Sequence, residues 1–220
     1  MSQVDVIAID GPVASGKGSV SSGVAKVLGF HVLDSGALYR LTALACMNQG
    51  MDLGDAAAAE KVARLLKPLF KDGKIYLEGK DVTDAIRTEE VGLNASKIAA
   101  YPGVRKALFE LQRRSAVEPG LVADGRDMGS VVFPEARLKI FLTASAESRA
   151  KRRYNQLKEK GISSNIDDLV SDLKDRDRRD MERSVAPLKP AEGARILDSS
   201  SLTLQETIDL VLAWYRESKA

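Results

Sequence analysis

A glycine-rich stretch near the beginning of the chain, residues 11–19, limits most strongly what this sequence can fold into. An alternating apolar run, residues 4–10, precedes it, and a helix-like run, residues 19–28, follows it. Between a strand and a helix, glycines let backbone N–H groups converge on a phosphate, and a lysine adds a full positive charge. A plain turn is the simpler interpretation, but the full pattern rarely arises by chance in this context. The stretch therefore predicts a phosphate-binding loop made of Gly11, Pro12, Val13, Ala14, Ser15, Gly16, Lys17, Gly18 and Ser19.

The residue after Lys17 departs from the commonest form of such loops. It is Gly18, and the hydroxyl comes one place later, at Ser19. This order resembles the loop of nucleoside-monophosphate kinases rather than that of GTPases. A hydroxyl directly after the lysine usually contacts Mg²⁺. We therefore predict no metal site built by direct side-chain ligation.

The bulk properties restrict the class of protein. The 220 residues suffice for one α/β domain with insertions, and 44% hydrophobic residues allow a substantial core. The net charge of +2 creates no strong field toward nucleic acid or membranes, and no apolar run approaches the roughly 20 residues of a membrane span. Residues 1–5 lack the basic segment of a signal peptide, and the single Cys46 cannot form an internal disulfide. We expect a cytoplasmic monomer that binds neither nucleic acid nor membranes.

Strand-like and helix-like runs alternate along the chain, which predicts an α/β fold with a central parallel five-stranded sheet and helices on both faces. The expected strands are residues 4–9, 31–34, 121–124, 138–143 and 196–198. The expected helices are residues 19–28, 37–49, 56–66, 88–100, 103–117 and 202–219, with two more in the charged run 147–183. Ligands bind at the carboxyl ends of such strands. We therefore expect the glycine loop, Ser35, Arg126 and Asp127 to converge there.

Residues 67–100 differ from the rest of the chain. Short extended pieces near residues 70, 75–77 and 80–82 are separated by Asp72-Gly73 and Glu78-Gly79, which predicts a small antiparallel sheet. Antiparallel strands within an alternating chain indicate an inserted α+β subdomain. We expect residues 1–66 and 101–220 to form the core, residues 67–100 to form the insert and residues 147–183 to form a short helical lid. Together they would act as one functional unit.

Several arginines lie where a second anion could bind. Arg40 falls in the first turns of its predicted helix, where a positive charge is disfavoured unless an anion lies nearby. On a helix, Arg176, Asp180 and Arg183 would share one face. Taken alone, this charged cluster is typical of a solvated helix. Beside a phosphate-binding loop, it favours phosphoryl transfer, which depends on in-line positioning and positive charge.

Four motifs together are similar to those of bacterial cytidylate kinases, and the similarity covers nearly the whole chain. The motifs are Gly11-Pro12-x-x-Ser15-Gly16-Lys17-Gly18-Ser19, Leu33-Asp34-Ser35-Gly36-Ala37-Leu38-Tyr39-Arg40, Asp124-Gly125-Arg126-Asp127-Met128-Gly129 and Arg176-Asp177-x-x-Asp180-x-x-Arg183-x-x-Ala186-Pro187-Leu188. The resemblance implies a three-layer P-loop kinase fold. It also implies direct transfer of a phosphoryl group from ATP to CMP or dCMP, with Mg²⁺ and with small nucleotides as partners.

The resemblance also implies roles for individual residues. The catalytic residues would be Lys17, Arg40, Arg126 and Arg183. ATP would contact residues 11–19 and the lid arginines Arg149, Arg152 and Arg153. The acceptor phosphate would contact Ser35, Arg40, Arg126 and Arg183. The ribose would contact Arg176 and Asp180. The cytosine edge would contact Ser96, Arg105 and Asp127. A carboxylate such as Asp127 accepts from the exocyclic amine of cytosine and repels the carbonyl of uracil.

Two other functions stay open from the sequence. A different P-loop kinase would act on UMP, AMP or a non-nucleotide such as shikimate, although a non-nucleotide acceptor would not need the insert or the set Ser96, Arg105 and Asp127. A nucleotide-dependent binding switch belongs to another class. The missing hydroxyl directly after Lys17 and the surplus of arginines argue against a switch.

Overall fold

The computed structural model describes residues 4–71, 73–159 and 161–219. Residues 1–3, Asp72 of the predicted turn, Lys160 of the predicted lid and Ala220 lie outside the described residues. The chain divides into two compact units, Met1–Leu33 with Ser115–Ala220, and Asp34–Arg114. No helix among the described residues is both long enough and apolar enough to cross a membrane.

The regular elements follow the predicted alternation. The strands are β1 (Val6–Asp10), β2 (His31–Asp34), β3 (Pro68–Lys71), β4 (Lys74–Leu77), β5 (Lys80–Asp81), β6 (Leu121–Gly125), β7 (Leu138–Thr143) and β8 (Arg195–Asp198). The α-helices are α1 (Lys17–Leu28), α2 (Ser35–Asn48), α3 (Ala56–Leu65), α4 (Glu89–Ile98), α5 (Pro102–Arg113), α6 (Ala146–Glu159), α7 (Ile166–Met181) and α8 (Leu204–Glu217). A 3₁₀ turn forms at Ala85–Arg87 and a π-helical turn at Met128–Val132.

The first unit is built on a five-stranded sheet with the order β2-β6-β1-β7-β8. β1 pairs in parallel with β6 and β7, and β7 pairs in parallel with β8. All five residues of β1 are buried, as a central strand requires. One hydrophobic cluster joins this sheet to α1 and α8 through residues such as Ile9, Val24 and Val211, and each fully buried aliphatic side chain contributes about 1.5–3 kcal/mol. The predicted fold class is therefore confirmed.

The second unit contains the predicted small antiparallel sheet, with the order β3-β4-β5. Thr88 caps α4 by accepting from the N–H of Val91, and Pro102 occupies the first turn of α5, where its missing N–H costs no helical bond. Helix α2 packs on α4, and α3 packs on α5. Because of this packing, the compact unit extends over residues 34–114. Residues 67–100 as a functional insert remain a prediction.

The charged run forms two helices that pack on each other, α6 and α7, as predicted. Gly161 lies between them with a φ of 71°, a conformation that glycine adopts without strain. One prediction for this region is wrong. Helix α7 ends at Met181, so Arg183 lies beyond the helix and does not share its face by helical periodicity. Its Nε instead donates back to the carbonyl of Asp180, 3.3 Å away.

Candidate active site

The glycine loop after β1 adopts the tight backbone that anion-binding loops require. A Cβ at Gly11 would lie 2.0 Å from the carbonyl oxygen of Leu142, so only glycine fits there. Ala14 and Gly16 both have left-handed φ angles, of 59° and 92°. Backbones that alternate in this way turn successive N–H groups toward one point and form a concave anion site. Helix α1 starts directly afterwards at Lys17 and adds the positive end of its dipole.

Lys17 lies behind this loop and is only 5% exposed. Its Nζ donates to the carbonyl of Pro12 at 2.8 Å, which holds the side chain against the loop. Burial, followed by repulsion from Arg126, lowers the pKa of Lys17 to about 7, although Asp124, Asp10 and Asp180 oppose that shift. Since the protonated form of Lys17 is destabilised in this way, a phosphate that binds beside it stabilises that form strongly.

Asp10, at the end of β1, positions the loop that follows β6. Its two carboxylate oxygens each accept a backbone N–H, from Met128 and from Gly129, at 2.8 Å. Burial raises the pKa of Asp10 to about 6 despite these two hydrogen bonds. Asp127, immediately before this anchored turn, is 4% exposed. The carboxylate of Asp10 therefore fixes the segment that carries Arg126 and Asp127.

Arg126 is paired with an acidic residue near the end of α7. Its Nε donates to Oδ2 of Asp180 at 2.9 Å, and Nη2 of Arg183 lies 3.4 Å from Oδ1 of the same carboxylate. Burial alone would raise the pKa of Asp180, but the positive charges of Arg126, Arg183 and Arg176 outweigh it and hold the pKa below its usual value. The structure thus brings these predicted residues together around one carboxylate.

The arginines of α6 contact the glycine loop through its carbonyls. Nη1 of Arg149 donates to the carbonyl of Val13 at 3.2 Å, and Nη1 of Arg152 donates to that of Ser15 at 3.0 Å. Arg149 is 4% exposed and also forms an ion pair with Asp177 on α7. Arg153 is half-buried on the same helix. Helix α6 is therefore bound directly to the backbone of the loop.

The second unit holds the other predicted residues. Ser35 begins α2 and is buried, while Asp34 caps this helix by accepting from the N–H of Ala37 at 3.0 Å. Nη1 of Arg40 donates to the carbonyls of Ile86, at 2.6 Å, and Thr88, at 3.2 Å. These are oxygens at the end of a 3₁₀ turn, so the positive charge of Arg40 faces partial negative charge.

Ser96 and Arg105 also lie in this unit. Ser96 is half-buried on α4. Nη1 of Arg105 donates to the carbonyl of Ala99 at 3.4 Å, and its guanidinium carbon lies 6.0 Å from the ring centroid of Tyr39. A carbonyl and an aromatic face both fix a guanidinium without neutralising it. These two contacts help to hold the guanidinium of Arg105 in place.

Comparison with known proteins decides the family. A sequence model described as cytidylate kinase matches residues 7–217. The cytidylate kinase of Bordetella bronchiseptica is 59% identical over 211 residues, which cover 96% of this chain and 95% of that protein. That of Polynucleobacter asymbioticus is 54% identical over 220 residues and covers 100% of both. The chain belongs to the cytidylate kinase family.

A solved structure supports the fold alone. An uncharacterized protein from Eubacterium ventriosum aligns over 96% of this chain and 98% of its own, with a TM-score of 0.53 and 11% identity. At that identity, the backbone arrangement is shared while site residues need not be. The family assignment therefore rests on the sequence relatives.

Three carboxylates near the loop were missed by sequence reasoning. Asp10 ends an otherwise apolar strand, and that break in the pattern was a signal for a buried function. Asp177 stands in the quoted arginine motif, but nothing in the sequence marks it as the partner of Arg149. Asp124 lies so close to Gly18 that a Cβ there would be 3.5 Å from Oδ2. Asp177 and Asp124 are revealed by their spatial neighbours alone.

Proposed function

We propose that this chain transfers the γ-phosphoryl group of ATP directly to CMP and dCMP and forms CDP and dCDP. In a chain of this family, the observation that carries the proposal is the buried Lys17, which is held at the glycine loop by the carbonyl of Pro12, together with the nearby charge of Arg126. After burial, the positive charge of Arg126 is the next largest cause that lowers the pKa of Lys17, so the two cations interact. Phosphoryl transfer needs such concentrated positive charge and in-line positioning, and no covalent intermediate on the protein.

On the donor side, backbone N–H groups of residues 13–19 hold the phosphates of ATP. Lys17 leaves the carbonyl of Pro12 and contacts the β- and γ-phosphates, which restores its full protonation. Arg149, Arg152 and Arg153 on α6 support this side. Since the lid excludes water from the moving phosphoryl group, ATP is not wasted by hydrolysis.

On the acceptor side, the proposal assigns each predicted residue to one part of CMP. The phosphate is held by Ser35, Arg40, Arg126 and Arg183. The ribose is held by Arg176 and Asp180. The cytosine edge is read by Ser96, Arg105 and Asp127, and the insert 67–100 contributes this specificity. Guanidinium groups suit the phosphate because they stay charged and bind it through two parallel hydrogen bonds.

The residues of the site also fit a Mg²⁺ ion that is held mainly by the phosphates of the nucleotide. Among the described residues, no cluster of three or more histidine, cysteine or acidic side chains forms a metal site. Mg²⁺ usually keeps several waters and binds one or two carboxylates together with substrate phosphates. Asp124 beside Gly18, with the exposed hydroxyl of Ser19, would hold its hydration shell. The ion would neutralise charge on the β- and γ-phosphates.

A coupled assay with ATP and a panel of monophosphates tests the function. We expect turnover with CMP and dCMP, and much slower turnover with UMP, because Asp127 repels the uracil carbonyl. A size-exclusion measurement checks the proposed monomer, and fractionation of cells checks the proposed cytoplasmic location. No turnover with CMP or dCMP, combined with turnover of another acceptor, would overturn the proposal.

A further inference from the structure

The guanidinium of Arg149 connects four parts of the first unit. Nε donates to the carbonyl of Ala144 after β7, 2.9 Å away. Nη1 donates to the carbonyl of Val13 at 3.2 Å and to Oδ1 of Asp177 at 3.1 Å. Nη2 donates to Oδ2 of Asp177 at 2.5 Å. All three nitrogens are thus occupied by the protein, in a side chain that is 5% exposed.

These contacts bear on the direction of the N–H groups in the glycine loop. In a trans peptide, the C=O and the following N–H point in opposite directions. The carbonyl of Val13, held by Arg149, therefore orients the N–H of Ala14 the other way. Arg152 holds the carbonyl of Ser15 and so orients the N–H of Gly16. The residue between these carbonyls, Ala14, has the unfavourable φ of 59°, which needs such support.

We propose that Arg149 and Asp177 form a positioning pair for the phosphate-binding loop. Arg149 acts through the backbone of the loop rather than as a ligand of the triphosphate. Asp177 aligns and neutralises its guanidinium from α7. The pair also makes the shape of the loop depend on the position of α7, because the same guanidinium contacts the loop and Asp177 on that helix. This inference rests on the proposed function, because it assigns ATP to this loop.

The substitution Asp177→Asn tests the pair, because an amide keeps the volume but cannot accept two charged hydrogen bonds. We expect the Kd of the non-hydrolysable ATP analogue AMP-PNP with Mg²⁺ to rise about tenfold. The KM for ATP should rise in parallel, while the KM for CMP stays within about twofold. A defect that only loosens the fold would not separate the two nucleotides in this way.

Glu147→Gln is the matched control. Glu147 on α6 and Lys174 on α7 also form an ion pair between these helices, at 3.4 Å, but both side chains are more than half exposed. Its Kd for AMP-PNP should stay within about twofold of the wild type, as expected for an exposed pair. Equal Kd values for the two variants would overturn the inference.

A second variant keeps the test decisive if Asp177→Asn folds poorly. Arg149→Lys keeps the charge but cannot span the same partners, and we expect a similar rise of about tenfold in Kd. In the double variant, the two effects should not add, because each breaks one shared arrangement. Full additivity would overturn the pairing.

The outcomes also separate this inference from the proposed function. If the wild type binds AMP-PNP but does not phosphorylate CMP or dCMP, the proposed function fails, and the pair is still judged by Kd. If the wild type phosphorylates CMP and Asp177→Asn binds AMP-PNP normally, only the positioning pair fails. A wild type that binds no AMP-PNP overturns both.

Discussion

Arg126 and Arg40, both proposed to hold the acceptor phosphate, are held by different contacts. Arg126, after β6 in the first unit, is paired at 2.9 Å with the buried carboxylate of Asp180. Arg40, on α2 in the second unit, donates to the neutral carbonyls of Ile86 and Thr88. The contacts of the first guanidinium thus include a buried carboxylate of the same unit, and those of the second include two carbonyls that end a 3₁₀ turn.

This difference predicts different contributions to catalysis. A phosphate that contacts Arg126 must compete with Asp180, but this arginine lies near enough to Lys17 to lower its pKa, where charge would develop in the transition state. Arg40 is not among the charges that shift the pKa of Lys17 most, so we expect it to stabilise the bound ground state and the transition state equally. We therefore expect the first region to determine kcat and the second to determine the KM for CMP.

The largest expected effect tests the first region. Lys17→Met keeps most of the buried stem and should lower kcat/KM about 10²–10³-fold or more, because the main cation on the moving phosphoryl group is lost. Stability should not fall, since a buried charge is removed. Steady-state kinetics and thermal unfolding measure both. Lys26→Met, an exposed lysine of the same helix, serves as the control. A near-normal rate for Lys17→Met would mean that the loop is not catalytic.

Two matched substitutions test the comparison itself. Arg126→Lys should lower kcat about a hundredfold, because a lysine cannot bind Asp180 and a phosphate through one planar fork. Arg40→Lys should leave kcat nearly unchanged and raise the KM for CMP about tenfold. Initial rates at saturating ATP and varied CMP give both constants. If both variants change kcat and KM in the same ratio, the proposed division between the regions is wrong.

Base selection should depend on Asp127. Asp127→Asn should reduce the preference for CMP over UMP by about tenfold to a hundredfold, because an amide can donate to the uracil carbonyl. The measurement is the ratio of kcat/KM for the two acceptors. The KM for ATP, which the substitution should not alter, is the internal control. Unchanged discrimination would show that another group reads the base.

The smallest expected effect is a pH dependence of ATP binding. The pKa of Lys17 is lowered to about 7 by burial and then by Arg126, so the free protein loses this charge as pH rises through 7. Bound phosphates keep the lysine protonated, so binding takes up a proton above that pH and the affinity falls. From about pH 6.5 to about pH 8, Kd should rise just under tenfold.

Titration calorimetry with ATP and no acceptor measures this slope. The same titration of Lys17→Met supplies the reference, because phosphate ionisation remains there and the lysine contribution is absent. Parallel slopes for the two proteins would show that Lys17 is already fully protonated in the free state.

Much of the fold follows from local patterns. Some features depend only on residues that are neighbours in the chain, so the sequence predicted them. They are the buried strand β1, the glycines of the loop and the proline that begins α5. The end of α7 was missed, because charged periodicity continues past Met181 although the helix does not. The carbonyl of Asp180 instead accepts from the N–H of Leu188, at 2.8 Å.

The sequence by itself determined the α/β fold class, the position of the phosphate-binding loop and the family. These depend on residues that are neighbours in the chain, whose spacing carries the information. Only the tertiary structure decided that Arg149 holds the loop, that Asp10 anchors the segment after β6, and that Arg126 lies near enough to Lys17 to lower its pKa. Such relations depend on distance through space and on burial. Residues far apart in sequence come close together and become buried only when the sheet and helices pack.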